Sequence, residues 1–374
     1  MLNNYDVIIV GGSFAGLSCA QAVARKGLRT IILEKKPWPG MKTHTTGIVV
    51  KELAEIWNIP SRLRKKIEKV RIYSPDLNYL DLYSPDYYFY ATDTPALIRW
   101  QAEKAIQSGV TIRYNSRYQS SEMKDDLHYL HSENLACRYL VGCDGSISRV
   151  AKKFSLGQNR QFLLGIEAET GYIEGLPDSH LHVFMDNDIA NGYIGWIVPG
   201  VGSNQIGLAT RYPVKPSLEK FLEKISKLWR LEQTERLSLK SGLIPCGGVV
   251  HPFYSKDVLL LGDAAGMVSP LTAGGIHPAV NIGQIAGTLI ADYLNFGGNN
   301  PGPELEQLIP SYSFKRGLRY LFDHLPLNNH MLNTLFNTRF FQLTAQTIFF
   351  HNRGVFSASA WRDIVKLSLN SSVR

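Results

Sequence analysis

The chain has 374 residues, is 44% hydrophobic and carries a net charge of +8 at pH 7. This length and apolar content predict two domains, or one large interleaved domain, with a core that needs no disulfide or metal to stabilise it. The sequence has no signal-peptide pattern and no apolar stretch long enough to span a bilayer. We therefore expect a cytoplasmic protein whose membrane contact, if it has any, is peripheral.

The four cysteines lack the spacing of a metal site or a redox pair; they are Cys19, Cys137, Cys143 and Cys246. Neither a disulfide framework nor a bound metal is therefore indicated. We expect reduced, mostly buried thiols.

A strand, a glycine turn and a helix open the chain. Residues 7–10 are an apolar, β-branched run typical of a strand that is buried on both faces, and residues 11–16 form a glycine-rich turn. A helix follows and ends at Gly27, and a second apolar run, 30–33, ends at Glu34. This order and spacing predict a βαβ unit that binds the ADP half of a dinucleotide. The alternative is a glycine turn that serves packing only.

Each position of this motif has a physical role. Gly11 allows the sharp turn out of the strand, and Gly16 lets the helix pack closely against it. The first-turn N–H groups favour a pyrophosphate, and Glu34 can accept hydrogen bonds from ribose hydroxyls. Ser13 stands where a second glycine is usual and keeps the backbone N–H. The predicted cofactor contacts of this region are Gly11, Ser13, Phe14, Ala15, Gly16, Glu34 and Lys35.

Two further loops are expected at the same edge of the sheet. A polar loop after the second strand places Thr45 and Thr46 where they can line the cofactor. Residues 139–142 read as a buried strand that ends in Asp144-Gly145. An acid followed by glycine is often an ordinary turn, but a parallel strand would deliver Asp144 to the edge that holds the glycine turn.

A late motif completes the pattern. Residues 257–261 read as a buried strand that ends in Gly262-Asp263, and a glycine-punctuated loop leads into a long helix from Ile276. A carboxylate suits a polyol, and a helix N-terminus suits a negative charge. A simple nicotinamide dehydrogenase does not need this second site. An enzyme that binds a flavin dinucleotide does, because the ribityl chain and the ring of the flavin need contacts of their own.

The C-terminal region, residues 311–374, combines basic and aromatic residues, with eight Lys or Arg against two acidic residues. This pattern fits a helical subdomain whose aromatics face its own core, which is our first expectation. It also fits an anionic membrane surface or a lipid diphosphate, so peripheral membrane contact is a second expectation. We expect no binding of nucleic acid.

Taken together, these three motifs resemble the FAD-dependent group that contains geranylgeranyl reductases and aromatic-ring monooxygenases. The matching residues are Gly11 to Gly16, Asp144-Gly145, and Gly262-Asp263 with Pro270, Gly274, Gly275 and Ile276. The resemblance covers roughly residues 5 to 290. It implies that Asp263 binds the ribityl and pyrophosphate region, and that Gly275 and Ile276 present backbone to the pyrimidine edge of the flavin.

The resemblance also implies the architecture, which is an α/β fold. We expect a Rossmann-like FAD-binding domain interleaved with a substrate domain whose strands, from their alternating pattern, are antiparallel. The expected boundaries are 1–69, 91–159 and 246–300 for the FAD-binding domain, 70–90 and 160–245 for the substrate domain, and 301–374 for C-terminal helices.

A third segment points to the substrate pocket. Geranylgeranyl reductases carry Tyr-x-Trp-x-Phe-Pro and flavin halogenases carry Trp-x-Trp-x-Ile-Pro, whereas this chain has Ile194 to Pro199, in which Trp196 and Pro199 match both patterns. The first aromatic residue is missing, unless Tyr193 substitutes. Tyr193, Trp196 and Pro199 are therefore pocket candidates, with a purely structural Trp196 as the alternative. His277, beside Gly275 and Ile276, is a weak candidate for proton donation.

We expect a flavoenzyme that passes a hydride from reduced FAD to a carbon-carbon double bond of an isoprenoid or similar apolar small molecule. The alternatives are an FAD-dependent monooxygenase or halogenase that acts on an aromatic substrate, and a non-catalytic flavin- or lipid-binding protein. We find no second glycine fingerprint for NAD(P)H. The reductant is therefore NAD(P)H that visits the flavin transiently, or a separate electron-donor protein.

Overall fold

A computed structural model of the protein describes residues 3–231, 235–325 and 328–350, and these residues form two compact units. Unit 1 comprises Met1–Ile59, Asp93–Leu163 and Leu243–Tyr320. Unit 2 comprises Pro60–Thr92, Leu164–Gly242 and the described part of Leu321–Arg374.

The strands of the described chain are β1 (Asn3–Val10), β2 (Thr30–Leu33), β3 (Ile48–Val50), β4 (Arg64–Ile67), β5 (Lys69–Tyr73), β6 (Tyr79–Tyr83), β7 (Phe89–Thr92), β8 (Thr111–Arg113), β9 (Glu122–Lys124), β10 (Leu127–Leu130), β11 (Leu135–Gly142), β12 (Phe162–Thr170), β13 (His180–Phe184), β14 (Gly195–Pro199), β15 (Asn204–Arg211), β16 (Arg236–Pro245), β17 (Tyr254–Ser255) and β18 (Val258–Leu260). The helices are α1 (Phe14–Arg25), α2 (Lys51–Trp57), α3 (Thr94–Gln107), α4 (Arg149–Lys153), α5 (Leu218–Ile225), α6 (Ile276–Phe296), α7 (Pro301–Leu308), α8 (Ser313–His324), α9 (Asn329–Phe336) and α10 (Arg339–Phe350).

The sheet of unit 1 has the strand order β17-β18-β11-β1-β2-β8. The four central pairings, β18 to β11, β11 to β1, β1 to β2 and β2 to β8, are all parallel. Val7, Ile8 and Ile9 of β1 are fully buried, as is expected for a strand with covered faces. Strands that are distant in sequence therefore end side by side.

Helices α1 and α6 pack closely against each other in unit 1, because small residues face the contact. A Cβ added at Gly287 would lie 2.7 Å from the Cβ of Ala22, and one added at Gly283 would lie 2.8 Å from the carbonyl oxygen of Ala15. These glycines bring the backbone of α6 against that of α1, so both helices take fixed positions beside β1.

The sheet of unit 2 has the strand order β16-β12-β15-β14-β13-β5-β6. One face carries an apolar cluster with α5, which includes Phe184, Ile197 and Phe221. The sheet is not purely antiparallel as predicted, because β13 pairs with β5 in parallel. That pairing joins segments that are far apart in the sequence, so no local pattern indicates it.

The unit boundaries differ most from those predicted in two places. The first falls after Ile59 and not after residue 69, since β4 pairs with β7 and both lie in unit 2. The C-terminal helices do not form one region: α7 lies in unit 1, where its Leu305 is buried, whereas α10 lies in unit 2, where Gln346 donates to the Tyr83 carbonyl. Residues 351–374 of the predicted basic and aromatic region lie outside the described residues.

All four cysteines are free, and Cys19, Cys137 and Cys246 are buried. Burial raises the pKa of the Cys19 thiol to about 12, so this side chain is an inert thiol. A bilayer-spanning helix, which must be both long and apolar, does not occur in the described ranges.

Replacing Gly287 with alanine tests the contact between α1 and α6. The new methyl group overpacks this contact, so we expect the free energy of unfolding to fall by about 1–3 kcal/mol. Chemical denaturation of the FAD-loaded protein measures the change.

Gly317→Ala is the matched control, because Gly317 also lies in a helix but a Cβ there meets open space. We expect this control to gain about 0.5–1 kcal/mol from helix propensity. Equal effects of the two substitutions would contradict the close packing.

Candidate FAD site

A row of backbone hydrogen bonds crosses the carboxyl ends of the parallel strands in unit 1. Leu261 N–H donates to the Gly142 carbonyl at 2.9 Å, and Cys143 N–H donates to the Val10 carbonyl at 2.7 Å. Gly11 N–H then donates to the Leu33 carbonyl at 2.8 Å. This row aligns the ends of β18, β11, β1 and β2, so the three sequence motifs meet at one edge.

The first motif forms the predicted tight turn. Gly11 has a φ of 108°, and a Cβ there would overlap the Cys143 carbonyl oxygen. A Cβ at Gly16 would overlap the Gly11 carbonyl oxygen, so helix α1 approaches the end of β1 as closely as the backbone allows. Phe14 and Ala15 are buried at the start of α1, and Ser13 is exposed.

Helix α1 begins without a side-chain cap. Ser13 is its N-cap residue, but its hydroxyl accepts no capping hydrogen bond, and the first turn contains no acidic residue. Helix α6 begins in the same way at Gly275. The short helix α2 also lacks a cap, whereas α3, α4, α5, α7 and α9 each have a side-chain acceptor. The N–H groups that begin α1 and α6 are thus left for an acceptor outside the helix.

Glu34 is buried at the end of β2, and both of its carboxylate oxygens accept backbone hydrogen bonds. Gly12 N–H donates to Oε2 at 2.7 Å, and Lys36 N–H donates to Oε1 at 2.9 Å. Each oxygen has further lone pairs, so the carboxylate can still accept hydrogen bonds from a ribose diol. The two backbone contacts fix its position against the glycine turn.

Asp144 has a more local role than its motif suggests. Ser148 donates its hydroxyl to Oδ1 at 2.6 Å, and the N–H groups of Arg149 and Val150 donate to Oδ2 at 2.6 and 3.2 Å. The carboxylate therefore holds the start of α4 and the loop after β11. Its side chain orders the site edge, and direct contact with a cofactor stays a prediction.

Asp263 has direct access to water, although protein atoms surround it densely. This surrounding raises the pKa of the carboxyl to about 6. A Cβ at Gly275 would lie 3.7 Å from Asp263 Oδ1, so the carboxylate lies beside the uncapped start of α6.

Asn159 is a site residue that no sequence motif indicated. Its Nδ2 donates to the Asp263 carbonyl at 2.8 Å and to the Ser146 carbonyl at 3.0 Å. One side chain thus joins the loop after β11 to the turn after β18. A lone asparagine outside a motif carries no sequence signal of such a bridge.

The remaining predicted contacts take varied positions. Lys35 is exposed, and Thr45 and Thr46 are half-buried in the loop after β2. Gly262 begins a short 3₁₀ helix, and a Cβ there would lie 2.9 Å from the Ala15 Cβ. His277 is half-buried, and burial lowers the pKa of its imidazole, an effect that Glu52 opposes.

These features fit an FAD molecule. The pyrophosphate needs hydrogen-bond donors that no side chain of the helix already occupies, which the uncapped α1 supplies. A ribose needs an acceptor at the end of β2, which Glu34 supplies, and the ribityl hydroxyls need one at the late turn, which Asp263 supplies. The role of each residue in cofactor binding stays a prediction.

Comparison with known proteins agrees with this geometry. Residues 6–143 match the family model described as FAD dependent oxidoreductase. A digeranylgeranylglycerophospholipid reductase from Methanocaldococcus jannaschii is 26% identical over 297 residues, which cover 76% of each chain.

These matches support an enzyme of the FAD-dependent oxidoreductase type.

Solved structures show that this oxidoreductase shares its fold with reductase-like and monooxygenase proteins. A geranylgeranyl bacteriochlorophyll reductase-like protein from Thermoplasma acidophilum superposes with a TM-score of 0.81 at 17% identity, over 98% of this chain and 96% of its own. PqsL from Pseudomonas aeruginosa, described as a probable FAD-dependent monooxygenase, has a TM-score of 0.66 at 18% identity, over 90% and 100%. The fold expected from the sequence is therefore confirmed.

The predicted pocket residues of this oxidoreductase lie in unit 2. Trp196 and Pro199 are in β14, and Tyr193 precedes that strand. Trp196 lies on the sheet face opposite Ile197 and the α5 cluster, where its ring covers Gly207; a Cβ there would lie 2.6 Å from the indole. Its Nε1 donates to Glu167 Oε2 at 2.7 Å.

An ion pair stabilises this arrangement. Lys240 Nζ lies 2.9 Å from Glu167 Oε1 and 3.5 Å from Glu169 Oε1. The Glu167 and Lys240 side chains are only 5% and 13% exposed, so both charges depend on their partners. The indole of Trp196 is therefore held in one orientation by Glu167.

Replacing Glu34 with glutamine tests the first motif. The glutamine side chain places an NH₂ group opposite the backbone N–H of Gly12 or Lys36, so one of these donors loses its acceptor. The neutral amide oxygen is also a weaker acceptor than a carboxylate for ribose hydroxyls. We expect affinity for FAD to fall by about tenfold or more. Equilibrium dialysis with FAD measures this change.

Glu55→Gln is the matched control, because Glu55 is an exposed glutamate on α2 that pairs with Lys51. We expect FAD affinity within about twofold of wild type, as an exposed pair contributes little. The role of Glu34 is refuted if both variants bind FAD equally well.

Replacing Asp263 with asparagine separates cofactor binding from stability. The folded pKa lies above the ordinary value of 3.8, so the folded state holds this proton more tightly and stability falls as pH rises from about 4 to about 6. Asparagine stays neutral, so we expect the FAD-free variant to be more stable than wild type at pH 7 but not at pH 4. We also expect weaker FAD binding.

Thermal unfolding at both pH values and FAD titration at pH 7 measure these effects. Asp292→Asn, which removes an exposed carboxylate of α6, is the control for a general charge effect. A variant that binds FAD like wild type would remove Asp263 from the site.

Proposed function

We propose that the protein reduces carbon-carbon double bonds of an isoprenoid lipid or a similar apolar small molecule. The observation that carries this proposal is the similarity, over 76% of the chain, to a protein named digeranylgeranylglycerophospholipid reductase. A second protein of that name, from Methanothermobacter thermautotrophicus, is 24% identical over 78% of this chain. The FAD site described above is the kind of site that such a reaction needs.

Bound FAD, once reduced, supplies the hydride. The protein's own contribution is binding and orientation, and no side-chain nucleophile is needed. The N–H groups at the start of α6 favour negative charge nearby, and Asp263 and Glu34 hold polyol hydroxyls. His277 stays a weak candidate for proton donation, because its lowered pKa makes the imidazole neutral at pH 7.

The candidate substrate contacts are Tyr193, Trp196 and Pro199, and β14 presents two of them on opposite faces: Pro199, two residues after Ile197, lies on the Ile197 side, so Trp196 is the contact proposed on its own face. Trp196 offers a large aromatic surface whose orientation is fixed by the bond to Glu167, and such a surface suits an apolar chain. The side chains of Glu167 and Lys240 are largely buried. Their charges therefore add little polar surface to the sheet face that carries Trp196.

The electrons come from NAD(P)H or from a separate electron-donor protein. Anaerobic titration of the FAD-loaded protein with NADPH, NADH and dithionite distinguishes these sources, since the flavin absorbance near 450 nm bleaches on reduction. Bleaching by dithionite alone would favour a donor protein.

The C-terminal region is a candidate for peripheral contact with a membrane that holds such a substrate. Large apolar side chains of α8, α9 and α10 are exposed; among them are Leu321, Phe322, Met331, Leu335 and Phe340, with Phe340 71% exposed. Flotation with vesicles of phosphatidylglycerol tests this contact. Protein that stays unbound at low salt would contradict it.

Replacing Trp196 with alanine tests the proposed reaction and its pocket together. We expect FAD binding to be retained, while kcat/KM for reduction of a geranylgeranyl lipid falls by about tenfold or more. Product analysis by mass spectrometry counts the hydrogens added per lipid under anaerobic conditions.

Tyr172→Ala is the control, as this aromatic residue is 82% exposed in the same unit.

Oxygen uptake that depends on an aromatic substrate, without loss of lipid double bonds, would instead favour a monooxygenase. A flavin that bleaches but reduces neither kind of substrate would favour a binding protein.

A further inference from the structure

Strands β4 and β7 form an antiparallel ribbon in unit 2 with an unusual concentration of positive charge. The segment from Ser61 to Lys66 contains four basic residues: Arg62, Arg64, Lys65 and Lys66. In the ribbon, Lys66 lies opposite Tyr90, and Arg64 lies opposite Thr92. Because side chains alternate along a strand, Arg64 and Lys66 share one face while Lys65 points to the other.

Two tyrosine rings, those of Tyr88 and Tyr90, contact the cations on the shared face. The guanidinium carbon of Arg64 lies 4.2 Å from the centre of the Tyr90 ring, and Lys66 Nζ lies 5.1 Å from the centre of the Tyr88 ring. The two tyrosine rings are 5.0 Å apart. Cation–π contacts of this kind attract both cations to the ring faces and so restrict their positions.

A cavity of about 200 Å³ opens on this face, and Ser61, Arg64, Lys66 and Tyr90 line it. Its lining therefore holds two cations and two hydroxyl groups, and no carboxylate. This volume is large enough for a phosphate group with its first water molecules.

The cations of the cavity differ in how far they are neutralised. Lys66 Nζ lies 2.6 Å from Glu68 Oε1, so this charge is shared. In the described part of the chain, Arg64 has no carboxylate within ion-pair distance, and its Nε is buried without a hydrogen-bond acceptor. Among the described residues, the Arg64 charge is therefore the less neutralised of the two.

We propose that this cavity binds a phosphate group. The Arg64 guanidinium matches two phosphate oxygens in a bidentate pair, while Lys66 and the hydroxyls of Ser61 and Tyr90 can donate to the others. A carboxylate has only two oxygens and would leave part of this donor set unused. The phosphate comes from a lipid headgroup or from a free phosphate compound. This inference concerns unit 2 alone and does not depend on the reaction that FAD supports.

The test is calorimetric titration of the FAD-loaded protein, in which the cofactor's own phosphates already fill the pyrophosphate site. The probes are inorganic phosphate and dihexanoylphosphatidic acid below its micelle concentration, with chloride holding ionic strength constant. Arg64→Gln should weaken binding of the effective probe by about tenfold or more. Lys66→Gln should weaken it by several-fold.

Lys65→Gln is the matched control, because it removes the same charge from the next residue of the strand. Lys65 points to the other face and pairs with Asp178 at 3.1 Å, so we expect binding within about twofold of wild type. Binding of both probes supports a site for phosphate from either source, and binding of the lipid probe alone supports a headgroup site.

The proposal is overturned if neither probe binds the wild-type protein, or if Arg64→Gln weakens binding no more than Lys65→Gln does. If Arg64→Gln does not fold, as judged by circular dichroism and FAD absorbance, Lys66→Gln is compared with Lys65→Gln under the same criterion. Lipid-reduction assays are run separately. A failed phosphate-binding test therefore does not refute the proposed reaction, and a failed reduction assay does not refute the phosphate site.

Discussion

The structure of the cofactor site depends on one row of backbone hydrogen bonds. The bonds from Leu261 to Gly142, from Cys143 to Val10 and from Gly11 to Leu33 join the ends of four strands, which come from three separate parts of the sequence. Each bond fixes the point at which a strand leaves the sheet. The loop that follows one strand therefore lies beside the loop that follows its neighbour. The glycines then let backbone meet backbone, because a side chain at Gly11 would overlap Cys143.

The electrostatics of the site follow from this arrangement. Helices α1 and α6 both start at the aligned edge, and both start without a side-chain acceptor. Five other helices of the described chain, such as α3 with Asp93, have a side-chain acceptor for these N–H groups. The protein thus leaves donors available where an anionic cofactor belongs, and it places acceptors, Glu34 and Asp263, where hydroxyl groups belong.

Much of unit 1 could be predicted from the sequence, because its motifs are local. Strand, glycine turn, helix and Glu34 follow one another within about thirty residues, and their order and spacing together favour dinucleotide binding over a turn that serves packing only. The role of Asn159 could not be predicted, since it bridges Ser146 and Asp263, which come together only in the folded chain. The parallel pairing of β13 with β5 was missed for the same reason. For Asp144, the sequence showed the Asp-Gly motif but not the hydrogen bonds from the start of α4 to its carboxylate.

The central claim is that strand ends from three separate parts of the sequence form one FAD site with the uncapped starts of α1 and α6. The most direct measurement is a crystal structure of the FAD complex. The claim requires the pyrophosphate at the N–H groups of Phe14 to Gly16, a ribose at Glu34 and the ribityl chain at Asp263. A pyrophosphate bound elsewhere, with Glu34 and Asp263 both away from the cofactor, would contradict it.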